Sequence, residues 1–301
     1  MPGRVARTVD GLVVAAYRRH FRVRIDDGMA LDCVLKGRST ALACGDRVRV
    51  AAVAGGGAIE DVLPRSSLLY RSDAFKEKLI AANVTQIVGV VAPDIAVDLE
   101  LAHRWAIAAE AERCRFLIAA NKSDQPGFDE LMSRLGALRG LGYTVVALAA
   151  KHDASPLEPW LAGERSVLVG QSGMGKSTIL NAVMPGTAAR TREISSALGT
   201  GRHTTSETTL YPYPGQADAW IVDSPGMKVF GLAHLPPDAI VHAFTDIAPF
   251  IGACRFRDCR HDAEPGCAVR DAVARGKVAP YRVALLHALV RESEAARAPG
   301  W

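Results

Sequence analysis

The sequence predicts an α/β protein in three parts. A mainly parallel, doubly wound sheet stands between a small N-terminal β-barrel and a C-terminal helical segment built round a metal cluster. Three observations predict it. Residues 1–66 read as short strands broken by turns, and residues 67–235 alternate apolar, β-branched runs with amphipathic helical stretches. Residues 236–301 place three cysteines and a histidine between positions 254 and 267, ahead of a helical pattern.

The first part has strand candidates at 11–17, 21–25, 30–34, 47–54 and 58–62, with Asp27-Gly28 as a hairpin turn signal. Five short strands in this length make an OB-fold barrel the economical choice. Arg4, Arg7, Arg18, Arg19, Arg22 and Arg24 are interleaved with Tyr17, His20 and Phe21. Cations that meet phosphates and rings that stack on bases suit an RNA-contacting surface. A solvated basic face with its aromatics in the core is the competing reading.

In the second part, strand runs fall at 85–92, 115–120, 143–148, 166–169, 208–213 and 220–222, with helices at 99–113 and 129–140. Alternation of this kind puts ligands at the carboxyl ends of the strands. Three motifs begin where strand runs stop. Asn121-Lys122-Ser123-Asp124 follows the second run and Gly170-Gln171-Ser172-Gly173-Met174-Gly175-Lys176-Ser177-Thr178 the fourth, while Asp223 opens a DSPG element ending in Gly226.

The glycine-rich run sits between a strand and a helix, the context of a phosphate loop. Its glycines turn backbone N–H groups inward, Lys176 brings a point charge to the terminal phosphates, and Ser177 a hydroxyl for Mg²⁺. NKSD selects the base. The Asp124 carboxylate accepts from the guanine N1–H and exocyclic amine together, a donor pair adenine lacks, which disfavours a plain ATPase. Asn121 would approach N7 and O6, and the Lys122 stem would lie along the base or ribose. Ala149-Ala150-Lys151 stands where a third base-side element belongs, without the serine usual there. Asp223 would hold Mg²⁺ through water and the Gly226 N–H would sense the γ-phosphate.

Between these elements lies a polar stretch, 187–207, with the run GRHTTS. Thr205 is the favoured Mg²⁺ ligand there and Thr204 the competitor. Met227 follows DSPG where Ras-type GTPases place a water-orienting glutamine, so slow intrinsic hydrolysis is expected. His203 is a candidate for the missing group. A group supplied or ordered by a partner is the alternative. Catalysis is thus assigned to Lys176, Thr205 and His203.

The motif order is NKSD, phosphate loop, DSPG, whereas ordinary GTPases run phosphate loop, DxxG, NKxD. The chain is a circularly permuted GTPase in which residues 153–164 would join the usual last strand to the usual first. Whatever follows DSPG is attached directly to the element that moves on hydrolysis.

The third part has the spacing Cys254-x4-Cys259-x-His261-x5-Cys267. Three thiolates and one imidazole satisfy tetrahedral zinc and leave no open position, so the site is structural. Arg255, Phe256, Arg257 and Arg260 surround it. A helix is expected over 280–296. Cys33, Cys44 and Cys114 lie apart, as small buried residues.

With 49% hydrophobic residues the 301-residue chain can bury sizeable cores. It has no run near ~18 uninterrupted apolar residues, and its first eleven residues lack an apolar signal core. A soluble, cytoplasmic protein is expected. The formal charge of +4 permits a polyanionic partner without requiring one.

Taken together, NKSD at 121–124, GQSGMGKST at 170–178, GRHTT at 201–205, DSPG at 223–226 and CRFRDCRHDAEPGC at 254–267 resemble the RsgA (YjeQ) family of circularly permuted GTPases. The resemblance covers nearly the whole chain. It implies an OB-fold, a permuted GTPase domain and a zinc domain, with GTP or GDP, Mg²⁺ and one structural Zn²⁺ as cofactors. It further implies binding to the 30S subunit and 16S rRNA late in assembly, with hydrolysis stimulated by the subunit and coupled to release. The sequence carries no oligomer signal, and a monomer is the default. A guanine-nucleotide-dependent RNA-binding switch with incidental turnover is the second reading. A factor for the large subunit is the third.

Overall fold

The alternating apolar positions of the N-terminal residues close into a barrel. In the computed structural model, which describes residues 7–298 apart from 18–19, 37–40, 54–55, 74–75, 97, 187–207, 217, 225 and 227–229, five strands form it. They are β1 (Arg7–Tyr17), β2 (His20–Ile25), β3 (Ala30–Leu35), β4 (Arg47–Val53) and β5 (Gly56–Val62). The hydrogen-bonded order is β1-β2-β3-β5-β4, and β4 returns to β1. Only the β3–β5 pairing is parallel among these. This closure is OB-like.

Inward-facing Val13, Phe21, Val23, Ile25, Leu31, Cys33, Val48, Val50 and Ile59 make a core of its own. The expected turn is present, with Gly28 at φ +92° and its N–H on Ile25 O at 2.8 Å. Phe21 is buried in that core and unavailable to stack on a base. Arg22, Lys36, Arg47 and Arg49 lie in ion pairs with Asp32, Glu60, Asp26 and Asp10. Arg4, Arg18 and Arg19 lie outside the described residues.

A hairpin of β6 (Leu68–Asp73) and β7 (Lys76–Ala82) follows, which the sequence pattern did not announce. Then come β8 (Gln86–Val91), α1 (Leu99–Ala111), β9 (Arg115–Ala120), α2 (Phe128–Arg134), α3 (Gly136–Gly140) and β10 (Thr144–Ala147). The helix expected over 129–140 divides at Leu135, whose backbone N–H caps α2 on Leu131 O while its side chain is buried, just before Gly136. The connector 153–164 is no plain loop. It forms a 3₁₀ turn, Ser155–Leu157, and α4 (Glu158–Leu161), because Leu157 and Leu161, one helical turn apart, both reach the core.

The second half of the sheet supplies β11 (Arg165–Val169), α5 (Lys176–Val183), β12 (Thr208–Pro212) and β13 (Trp220–Asp223). The order is β10-β9-β8-β11-β13-β12, parallel except for β12. Every residue of β8 is buried, as a strand covered on both faces must be. Strand β1 bends at a bulge between Val13 and Ala15, so that its first half pairs with β4 and its end with β12. Barrel and central sheet therefore form one continuous sheet.

The C-terminal part holds α6 (Pro237–His242), α7 (Ala268–Ala274) and α8 (Pro280–Arg297). It does not rely on a metal alone. Phe244, Ile247, Val269, Leu285, Leu286 and Leu289 join the same apolar core as the central sheet. At that junction Arg282, 1% exposed, donates to Asp246 at 2.7 Å, lies over the Phe244 ring and meets His103 of α1. Burial, then the Arg282 charge, pushes the His103 pKa down to about 4, so the imidazole is neutral beside the guanidinium. No helix among the described residues is long and apolar enough to cross a membrane.

Candidate functional site

The carboxyl ends of β9, β11 and β13 bring the three motifs into one place. The phosphate loop spans the gap between Val169 and Lys176, where α5 begins. Asp223 is the last residue of β13 and NKSD starts one residue beyond β9. A short polar strand end thus hands its side chains to the crevice.

Asn121 ties three loops together. Its amide Nδ2 donates to Met174 O at 3.0 Å, and its Oδ1 accepts from the Ala150 N–H at 3.0 Å. Gly175, at φ +96°, admits this contact, since a Cβ there would lie 2.2 Å from Asn121 Nδ2. The Ala149-Ala150-Lys151 element is thereby fixed through a backbone N–H that needs no serine. Met174 is buried, so its side chain anchors the loop in the core and only its backbone faces the crevice. Gly226 lies against the loop from the other side, its would-be Cβ 2.8 Å from Ser172 N.

Charge is concentrated at two ends. At the phosphate end Lys176 is buried, and its ammonium donates to Gly170 O at 2.8 Å and Gln171 O at 3.1 Å. Burial lowers its pKa and the Asp223 charge opposes that. Asp223 sits beyond it with Oδ2 3.4 Å from Ser177 Oγ. Its Oδ1 is buried with no partner among the described residues. Burial raises its pKa to about 6, against the pull of Lys176 and Ser177. A buried carboxylate oxygen without a donor, beside a hydroxyl, is what a hard cation requires. The pair Ser177 and Asp223 fits Mg²⁺.

At the other end Asp124 is exposed, and its Oδ2 accepts from Gln125 Nε2 at 3.0 Å. That hydrogen bond, first among several, holds the carboxyl below its usual pKa. Asp124 is therefore an ionised acceptor, with His152 Nε2 at 3.6 Å. Lys122 directs its ammonium to Gly173 O at 2.9 Å and to Asp94. Ser123 N donates to Leu148 O, bracing the loop on the end of β10. Gln171, Ser172, Gly173, Ser177 and Thr178 keep solvent access along the loop. His203, Thr204, Thr205 and Met227 lie outside the described residues.

The cysteine cluster forms a second site. The donor atoms of Cys254, Cys259, His261 and Cys267 all lie within 4.8 Å of one another. His261 Nδ1 is 3.5 Å from the sulfurs of both Cys254 and Cys267. These separations suit one tetrahedral ion. His261 adopts φ +63°, which a non-glycine residue rarely does without a compensating bond. The residue sequence reasoning missed is Glu264. Its two oxygens accept from the Arg260 and Asp262 N–H groups at 2.8 and 3.0 Å. Those backbone donors, Arg260 first, pull its pKa down to about 2. The available signal was a lone carboxylate inside the ligand loop. Phe256 is exposed beside Arg255, whose guanidinium lies 5.5 Å from the ring centre.

Cys33, Cys44 and Cys114 are buried free thiols, and burial lifts their pKa values to about 11, 12 and 11. They have no part in either site.

Comparison with known proteins agrees with this geometry. The family model described as RsgA GTPase matches residues 62–233. A protein of Nitrosospira multiformis named small ribosomal subunit biogenesis GTPase RsgA is 45% identical, across 99% of this chain and 96% of its own. The solved structure of YjeQ from Thermotoga maritima superposes with a TM-score of 0.71 at 26% identity, covering 96% of this chain and 99% of that one. YloQ, titled a circularly permuted GTPase, matches in fold with a TM-score of 0.67 at 22% identity over the whole of both chains.

Proposed function

The chain belongs to the RsgA GTPase family, whose activity is GTP hydrolysis, and we propose that it acts on the small ribosomal subunit during its assembly. What carries this is similarity along almost the full length, barrel and cysteine loop included, to a protein named for small-subunit biogenesis. The place of action is then the cytoplasm and the immediate partner 16S rRNA. The protein works as a monomer in three parts with boundaries near residues 66 and 235.

The geometry supports the roles read for the described residues, and those of Thr205 and His203 rest on the sequence motif. Asp124 recognises the guanine edge once Gln125 yields its oxygen. Asn121 holds base loop and phosphate loop in register, and the Lys122 stem flanks the base, beside Ser123. Lys176 gives up two loop carbonyls for the terminal phosphates, with the backbone of Gly170 to Thr178 wrapped around them. Ser177 and Asp223 would hold Mg²⁺, which neutralises charge on the phosphates, and Gly226 faces the γ-phosphate position. Thr205 and His203 complete the assignment as Mg²⁺ ligand and water-orienting group. One structural Zn²⁺ belongs to Cys254, Cys259, His261 and Cys267.

The segment behind DSPG supports coupling of hydrolysis to the C-terminal part. Leu232 N donates to Glu292 Oε1 at 3.0 Å, and Ser293 Oγ donates to Leu235 O at 2.6 Å. Arg297 adds a bond to His234 O, and Arg104 of α1 pairs with Glu292 at 2.7 Å. Helix α8 thus grips the chain a few residues beyond Gly226, and a shift there reaches the metal loop through α7 and α8.

Asp124→Asn tests nucleotide and partner together. The variant reverses the hydrogen-bonding sense at the base edge, so it should bind xanthosine nucleotides in place of guanosine ones, by about 10²-fold or more. With 30S subunits present it should hydrolyse XTP and leave GTP untouched. Unchanged GTP preference would remove Asp124 from the base site. XTP turnover indifferent to 30S would remove the subunit from the reading.

A further inference from the structure

The loop joining β8 to α1 meets the nucleotide site at a place no motif marks. Asp94 lies on it, and its Oδ2 contacts Lys122 Nζ at 2.5 Å. The same ammonium donates to Gly173 O in the phosphate loop at 2.9 Å. The next residue, Ile95, packs on that glycine, its Cδ1 2.9 Å from where a Cβ on Gly173 would stand. Lys122 itself sits at φ +60°, a conformation non-glycine side chains seldom adopt. We propose that Asp94 is a positioning residue for the base end of the site, holding Lys122 against the phosphate loop so that its methylene stem is laid out before a nucleotide arrives. The proposal deepens the guanine-nucleotide reading and rests on it.

A lysine stem carries several free rotors, and fixing them on binding costs affinity. Two partners on one ammonium, a carboxylate and a loop carbonyl, fix them in the empty site. Removing the carboxylate leaves the single bond to Gly173, which water can replace. The Lys122 and Asp94 side chains are 22% and 47% exposed, so solvent screens the pair and its effect is bounded. A loss of about three- to five-fold in nucleotide affinity is the expected scale.

The test uses the full chain and a fluorescent GDP analogue. Asp94→Asn should weaken binding by about three- to five-fold, and Asp94→Glu should restore it to within about two-fold. In a Lys122→Ala background, Asp94→Asn should add almost nothing, because its effect passes through the missing ammonium. Inorganic tripolyphosphate, which occupies the loop and has no base, should compete equally well against all five proteins when expressed as its own affinity. The proposal is overturned by an unchanged Asp94→Asn affinity, by the same loss with or without Lys122, or by a loss for tripolyphosphate that matches the loss for GDP. A wild-type protein that binds ADP as tightly as GDP would instead overturn the guanine reading beneath it.

Discussion

Replacing Asp223 by asparagine should cripple Mg²⁺-dependent GTP hydrolysis, by about 10²-fold or more, and in the same protein raise the stability of the metal-free fold. Both effects come from one atom. Asp223 Oδ1 is buried without a donor, and burial raises the carboxyl pKa to about 6. In the metal-free fold the native state therefore keeps a proton that the unfolded chain releases near pH 4. Stability should fall as pH rises from about 4 to about 6, because over that range the native state binds more protons than the unfolded one, and remain low above it. The asparagine carries no charge and escapes this penalty, a gain of roughly 1–3 kcal/mol at pH 7.5. It also offers the cation a weaker ligand, and turnover should drop by about 10²-fold or more. Thermal melts of both metal-free proteins at pH 5 and 7.5, with turnover assayed alongside, check the two arms. An asparagine variant that melts lower at pH 7.5, or turns over at the wild-type rate, would remove Asp223 from the cation site.

The second large effect concerns the cysteine loop. The purified protein should carry about one zinc ion per chain, and Cys267→Ser should lose it. Structural zinc sites in small peptides bind with about 10–16 kcal/mol, so residues 253–267 should unravel without the ion. The damage should stop there. Phe244, Leu285, Leu286 and Leu289 belong to the core of the central sheet, which keeps α8 in place and with it the clamp on Leu232 and Leu235. Nucleotide affinity should stay within about three-fold. Metal analysis, limited proteolysis and GDP titration read the three parts. A Cys267→Ser chain that is metal-free yet uncut in the loop would show that no ion is needed, and one that cannot bind GDP would show that the loop supports the whole fold.

The candidate nucleotide site was legible because its chemistry is local. A phosphate loop must sit between a strand and a helix, and the base aspartate must follow a strand, so short spacings identify Lys176, Asp124 and Asp223 before any fold is known. The permutation was legible for the same reason, from motif order alone. The barrel strands and α8 followed from periodicities of two and 3.6. What escaped depends on contacts distant in the chain. The β6–β7 hairpin mixes charged and apolar residues without a tight-turn signal, and the short helices of 153–164 exist because Leu157 and Leu161 find the core. Phe21 leaves a surface and a core reading open until the barrel closes over it. The bridging of Asn121 to Met174 and Ala150, the Asp94 contact to Lys122 and the Glu264 brace on His261's loop join residues that no spacing rule connects. The shared core of the C-terminal part was hidden likewise, since Leu286 and Trp105 are far apart in sequence and buried in one cluster.

The central claim is a GTPase whose turnover answers to the small ribosomal subunit, and the direct measurement is GTP hydrolysis by the purified protein alone, with 30S and with 50S subunits. Slow turnover alone, strong stimulation by 30S and none by 50S are the expected results. Stimulation by 50S alone, or turnover indifferent to both subunits, would contradict the claim.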